Sequence, residues 1–116
     1  MANGDFLNIA IEAAITASYT ILEDLPKIKD PFYKGKIDLV TRTDTNSENI
    51  IKNIISKSFP NHSILAEESG LNQIKSDYLW IIDPLDGTTN FVHGCHPFSI
   101  SIALYKKRKP LVGLVL

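Results

Sequence analysis

An apolar run, Leu79-Trp80-Ile81-Ile82, breaks off into Asp83-Pro84-Leu85-Asp86-Gly87-Thr88-Thr89-Asn90. The run has the composition of a buried strand, so the chain around it must cover a sheet while leaving two carboxylates at the strand's end. Pro84 sets its own φ and biases Asp83 toward an extended conformation, and Gly87 permits a tight turn or a positive φ. The expected result is a strand end from which Asp83 and Asp86 point into one pocket, with the Leu85 carbonyl as a further oxygen. Thr88-Thr89-Asn90 can open a short helix whose N–H groups face that pocket, and helix N-termini attract anions. Upstream, Glu67-Glu68 adds two more acids. Taken alone, Asp-Gly is a turn and Asp before Thr is a cap. Together, several acids at strand ends repel one another, and a cation is the usual remedy. Hard divalent cations take oxygen ligands, so the pattern predicts a magnesium site that handles phosphate.

The 116 residues have the length of one small domain, and 44% apolar content is enough for a core. A formal net charge of −1 gives no basis for a nucleic-acid or membrane-surface partner. Cys95 is the only cysteine, which excludes an intrachain disulfide and fits a reducing compartment. No secretory leader is evident at Met1 to Ile9, and no apolar run approaches the ~18 residues of a membrane span. The expectation is a cytoplasmic protein.

Helical spacing puts Leu7, Ile11, Ala14, Ile15, Leu22 and Leu25 on one apolar stripe, with small Ser18 beside them. Asp5 is placed to cap this helix and Pro26 to end it. A turn is expected from Asp30 to Gly35, then a short strand or extended arm from Lys36 to Val40. Thr45-Asn46-Ser47-Glu48 reads as a capping box opening a second helix, which carries Ile50, Ile51, Ile54, Ile55 and Phe59 and stops at Pro60-Asn61. Ser63 to Ala66 reads as a strand ending at Glu67-Glu68, followed by a polar loop and the strand Tyr78 to Ile82. Phe98, Ile100, Ile102 and Leu104 alternate with Ser99, Ser101, Ala103 and Tyr105, a half-buried strand. Lys106-Lys107-Arg108-Lys109-Pro110 then forms the solvated tip of a hairpin whose second strand runs from Leu111 to Leu116. That last strand has no polar tail, which suggests a truncated chain or an edge covered by a partner.

The segment Asp83 to Gly94 closely resembles the first signature of the inositol monophosphatase family. Asp38-Leu39-Val40-Thr41-Arg42-Thr43-Asp44 resembles the family's early Asp segment, and Ala66-Glu67-Glu68-Ser69 its Gly-Glu-Glu-Ser motif, with Ala66 in place of Gly. Lys109-Pro110-Leu111-Val112-Gly113 also fits. The wording Thr88-Thr89-Asn90-Phe91-Val92-His93 is similar to inositol monophosphatases rather than bisphosphate nucleotidases, which implies a small polyol or sugar monophosphate as substrate. The resemblance implies an α/β (α+β layered) fold: the N-terminal half of the family's domain, two helices on a mostly antiparallel sheet. It implies that Glu67 and Asp83 ligate one magnesium ion with the Leu85 carbonyl, and that Asp83 and Asp86 hold a second. It further implies that Glu67, Leu85, Asp86, Gly87 and Thr88 contact substrate or its phosphate. Thr88, hydrogen-bonded to Asp44, would help Glu67 orient and deprotonate the attacking water. Glu68 would lie behind the ligands. Lithium sensitivity and a homodimer are also implied.

Family members are longer and carry a second signature, Trp-Asp-x-Ala-Ala-Gly, whose Asp completes the second metal site. Trp80 is the only tryptophan here and belongs to the first signature's strand. Residues 1–116 therefore read as a single incomplete domain lacking the C-terminal half. Two alternatives stand beside the phosphatase reading: a non-catalytic metal- or phosphate-binding remnant, and a fragment too incomplete to fold stably.

Overall fold

The computed structural model of the chain describes residues 3–30, 32–86 and 99–116. Two helices, α1 (Asn3–Lys29) and α2 (Lys36–Ser58), lie on a five-stranded sheet. The strands are β1 (Ser63–Ala66), β2 (Gly70–Leu71), β3 (Tyr78–Asp86), β4 (Ser99–Lys106) and β5 (Lys109–Val115). They are ordered β2-β1-β3-β4-β5. β1 pairs with β3 in parallel and the other neighbours pair antiparallel, so the sheet is mixed but mostly antiparallel, as expected.

The first helix differs from its sequence reading in both its ends and its face. Asp5 lies within the first helical turn, and Pro26 lies inside the helix. Proline removes one backbone donor, yet Leu25 and Ile28 are both buried in the core. Their burial carries the helix through one more turn. The buried face is Phe6, Ala10, Ala13, Ala14, Ala17, Ile21, Leu25 and Ile28. Of the expected stripe only Ala14 and Leu25 are inside; Leu7, Ile11, Ile15 and Leu22 stand exposed, Leu22 to 55%. The alanines explain the rotation, because small side chains let α1 approach its neighbours closely. By length and composition, Asp5–Ile28 would also suffice to cross a membrane, although charged Glu12, Glu23, Asp24 and Lys27 interrupt its apolar run. Here one face of it is packed into the core.

The second helix begins nine residues earlier than the capping-box reading and absorbs the expected extended arm, Lys36 to Val40. Asp30 accepts from the Phe32 N–H at 2.9 Å in the connecting turn. Gly35, at φ 80°, turns the chain into α2 in a left-handed conformation that glycine adopts freely. The buried positions of α2 are Leu39, Val40, Thr43, Asp44, Ser47, Glu48, Ile51 and Ile55. They follow a helical period throughout, although the middle four are polar. Thr43 ties the two helices together, its hydroxyl lying 2.6 Å from an Asp24 carboxylate oxygen and 2.8 Å from the Leu39 carbonyl.

The helix-facing side of the sheet carries Ile64, Ala66, Trp80, Ile82, Ile100, Ile102 and Leu104, all buried. Leu65 and Ile81 lie on the other face, each 38% exposed. β1 matches the sequence reading, and the β4–β5 hairpin does except at its tip: Lys106 lies in β4 and Lys109-Pro110 in β5, so the expected five-residue tip shrinks to two residues, while Phe98 lies outside the described residues. β3 does not end at Ile82 but runs to Asp86, and the expected polar loop contains the short strand β2. Lys107 and Arg108 form the two-residue hairpin turn, both at positive φ (49° and 68°). Turns of this hand favour Asn-Gly, so the double substitution Lys107→Asn/Arg108→Gly should raise stability by about 1 kcal/mol, read as a higher urea midpoint.

At the end of the core away from the acids, His62 stacks between Phe59 and Tyr78, at centroid distances of 4.8 and 4.5 Å. Its Nδ1 accepts from the fully buried Trp80 indole N–H at 3.0 Å. Burial lowers the His62 pKa below its ordinary 6.5. Protonation is therefore easier in the unfolded chain, and this site's contribution is present above pH 6.5 and lost as pH falls through the folded value. Fluorescence of Trp80, the only tryptophan, should report a urea midpoint that drops on acidification below pH 6.5. In His62→Gln that part of the drop should vanish.

A candidate metal centre at the strand ends

Parallel pairing of β1 with β3 sets Ala66 beside Ile82. Glu67 follows the first and Asp83 the second, so both acids stand where the parallel pairing stops: β1 has ended, and β3 runs on beside β4 alone. Leu65, Ala66, Glu67, Gly70, Ile81, Ile82 and Asp83 line a pocket of about 490 Å³ there. β3 is bulged at this point: Asp83 pairs with Ser101 and Asp86 with Ser99, leaving Pro84 and Leu85 opposite a single residue. A bulge suits a proline, which cannot donate to the ladder, and it re-aims the side chains on either side. The weak 3.4 Å contact from the Leu85 N–H to Asp83 Oδ1 lies within it. Leu85 itself is buried.

α2 brings the third acid. Asp44, Glu67 and Glu68 each present a carboxylate oxygen, all within 4.8 Å of one another. Asp44 is only 6% exposed, and its Oδ1 has no hydrogen-bond partner among the described residues. Burial raises its pKa to about 7, with the nearby charges of Glu67, Glu68, Asp83 and Glu48 adding in that order. A buried carboxylate with an idle oxygen beside other acids is costly in water-poor surroundings. An all-oxygen donor set of this kind fits a hard divalent cation.

Two residues that sequence reasoning placed in a helix cap prove to be joints of the site. Glu48, 1% exposed, accepts from the Glu68 N–H at 2.8 Å through Oε1 and from the Ser69 N–H at 3.2 Å through Oε2. Ser47 donates its hydroxyl to the Pro84 carbonyl at 2.9 Å. Lys52 reaches Ser69 Oγ at 2.8 Å from the same helix. The available signal was spacing: Asp44 and Glu48 are four residues apart and so share a helix face. Glu68, expected behind the ligands, stands with Asp44 and Glu67 in the oxygen cluster. Gly87 and Thr88 lie outside the described residues, as does the short helix expected at Thr88 to Asn90; of Asp86 only the backbone, at the end of β3, is described.

These features define a class: an α/β protein with an oxygen-rich centre at the ends of parallel strands. The inositol monophosphatase family matches residues 3–116, and the chain belongs to that family. It is 44% identical over 114 residues to inositol monophosphatase 3 of Solanum lycopersicum, a stretch covering 95% of this chain and 42% of that protein. Over 112 residues it is 39% identical to an Aquifex aeolicus protein named fructose-1,6-bisphosphatase/inositol-1-monophosphatase, covering 95% of this chain and 42% of that one. The solved inositol monophosphatase of Anabaena superposes with a TM-score of 0.80 at 43% identity, over 97% of this chain and 39% of that structure. The chain thus spans about two fifths of the length of these relatives.

Asp44 gives the centre a pH signature. Its folded pKa, about 7, is above the ordinary 3.8, so its contribution is full below pH 3.8 and lost as pH rises through 7. With metal chelated, Asp44→Asn should remove this loss. The urea midpoint of the variant relative to wild type should therefore climb between pH 5 and pH 8; equal shifts at both pH values would contradict the assignment.

Proposed function

We propose that this chain is the metal-ligating part of a magnesium-dependent phosphomonoesterase acting on inositol monophosphate or a similar polyol or sugar phosphate. The observation that carries the reading is the Asp44–Glu67–Glu68 oxygen cluster, with one buried oxygen idle, beside a pocket that Glu67 shares with Asp83. Family membership supports it. Glu67, Asp83 and the Leu85 carbonyl would hold one magnesium ion, and Asp83 with Asp86 a second. When bound, magnesium lowers the pKa of a water molecule and neutralises charge on the attacking and leaving oxygens.

The chain's own groups then position the reactants, which is the larger part of phosphoryl transfer. Glu67 orients the attacking water and takes its proton. Asp44 would accept from the Thr88 hydroxyl and so hold Thr88 toward that water. The Gly87 and Thr88 N–H groups, together with Leu85 and Asp86, would receive the phosphate. The water oxygen bonds to phosphorus, the ester oxygen leaves as the alcohol, and inorganic phosphate remains, with no covalent phosphoenzyme. A cytoplasmic setting, a homodimer and inhibition by lithium belong to the same reading.

Calorimetry should show magnesium uptake by the chain and its loss in Asp83→Asn, with an unchanged circular dichroism spectrum. In a chain extended to the length of the relatives, Asp83→Asn should lower phosphate release from inositol 1-phosphate by at least 100-fold, about 2.7 kcal/mol of barrier. Wild-type turnover by that variant would overturn the proposal. Magnesium uptake without turnover in the extended protein would favour a binding remnant instead.

A further inference from the structure

We infer that Ser47 and Glu48 are positioning residues that set the spacing of the two ligand-bearing strand ends; this rests on the metal reading above. Side chains of consecutive helical residues diverge by about 100°, and here that divergence is used to reach two separate segments. Ser47 grips the Pro84 carbonyl inside the bulge that carries Asp83 and Leu85. Glu48 grips two successive N–H groups, Glu68 and Ser69, immediately after Glu67. Both side chains are buried, Ser47 at 0% and Glu48 at 1% exposure, on the face of α2 that also carries Asp44. One rigid turn of α2 is therefore bonded to both ligand segments.

The cost of this arrangement points to its use. Burying Glu48 on the α2 face that carries Asp44 sets one carboxylate near another, and like charges repel. A neutral side chain would avoid that repulsion. A carboxylate, however, can accept from two N–H groups at once, whereas an amide offers a single acceptor atom. Outer groups of this kind commonly tune metal affinity by 10–100-fold without touching the ion.

The test uses Mn²⁺ as probe, its affinity read by calorimetry in the 116-residue chain, together with amide exchange at Glu68 and Ser69. Glu48→Gln should weaken Mn²⁺ binding about 10-fold and speed exchange of the Ser69 amide. Ser47→Ala, a milder change that keeps the fold, should weaken binding several-fold with those two amides unaffected. Ile51→Val removes one methyl group from the same buried face of α2 without touching either grip. It should lower the thermal midpoint while leaving Mn²⁺ affinity at the wild-type value. Wild-type affinity in both Glu48→Gln and Ser47→Ala, or an equal loss in Ile51→Val, would overturn the positioning role and leave the metal reading standing. No Mn²⁺ uptake by the wild-type chain would overturn both.

Discussion

The attachment of one turn of α2 to two strand ends is the contact on which the rest of the structure depends. Strands β1 and β3 each deliver acids to the same edge of the sheet, and backbone pairing aligns them only as far as Ala66 and Ile82. Past that point β1 has ended, whereas Asp83 stays paired with Ser101 of β4 at the edge of the bulge, so the β1–β3 ladder no longer ties Glu67 and Glu68 to Asp83. Ser47 and Glu48 take over there, through three bonds from a helix that cannot shift without unpacking Ile51 and Ile55. Removing the Glu48 carboxylate would strand two backbone donors in partly buried surroundings, at about 1–3 kcal/mol each.

The opposite end of the core is stabilised by neutral aromatic contacts. Phe6, Phe59, His62, Tyr78 and Trp80 form a continuous aromatic group joining α1, the end of α2 and the start of β3. Two titrating groups thus pull against each other: His62 weakens the fold as acid is added, whereas relief of Asp44 strengthens it. The acidic centre and the aromatic end therefore respond to pH in opposite directions. This division is common where a site holds like charges that a ligand would neutralise.

Much of the sheet was legible in the sequence. Alternation along Ile100, Ile102 and Leu104 identified a strand and its buried face correctly, because a period of two permits only one inward set. The helices were read less well, and for a specific reason. Along α2 the period was counted on apolar residues alone, so Thr43, Asp44, Ser47 and Glu48 interrupted it and Lys36 to Val40 was cut off as an arm. All four polar residues are in fact buried and continue the period. Along α1 the larger aliphatics drew the stripe toward Leu7, Ile11, Ile15 and Leu22, whereas the core selected the alanines.

Sequence alone determined the chemistry: oxygen donors clustered after apolar runs, a proline that breaks the ladder of β3, and motifs shared with a phosphatase family. These are properties of residue type and spacing along the chain, and they survive in one dimension. Tertiary structure alone decided which of those donors meet. That Asp44 stands with Glu67 and Glu68, and that Glu48 grips a turn twenty residues away instead of capping its own helix, depends on how α2 lies across the sheet. A carboxylate reads the same whether it caps, ligates or clamps, and its role is set by whichever donors packing brings within reach.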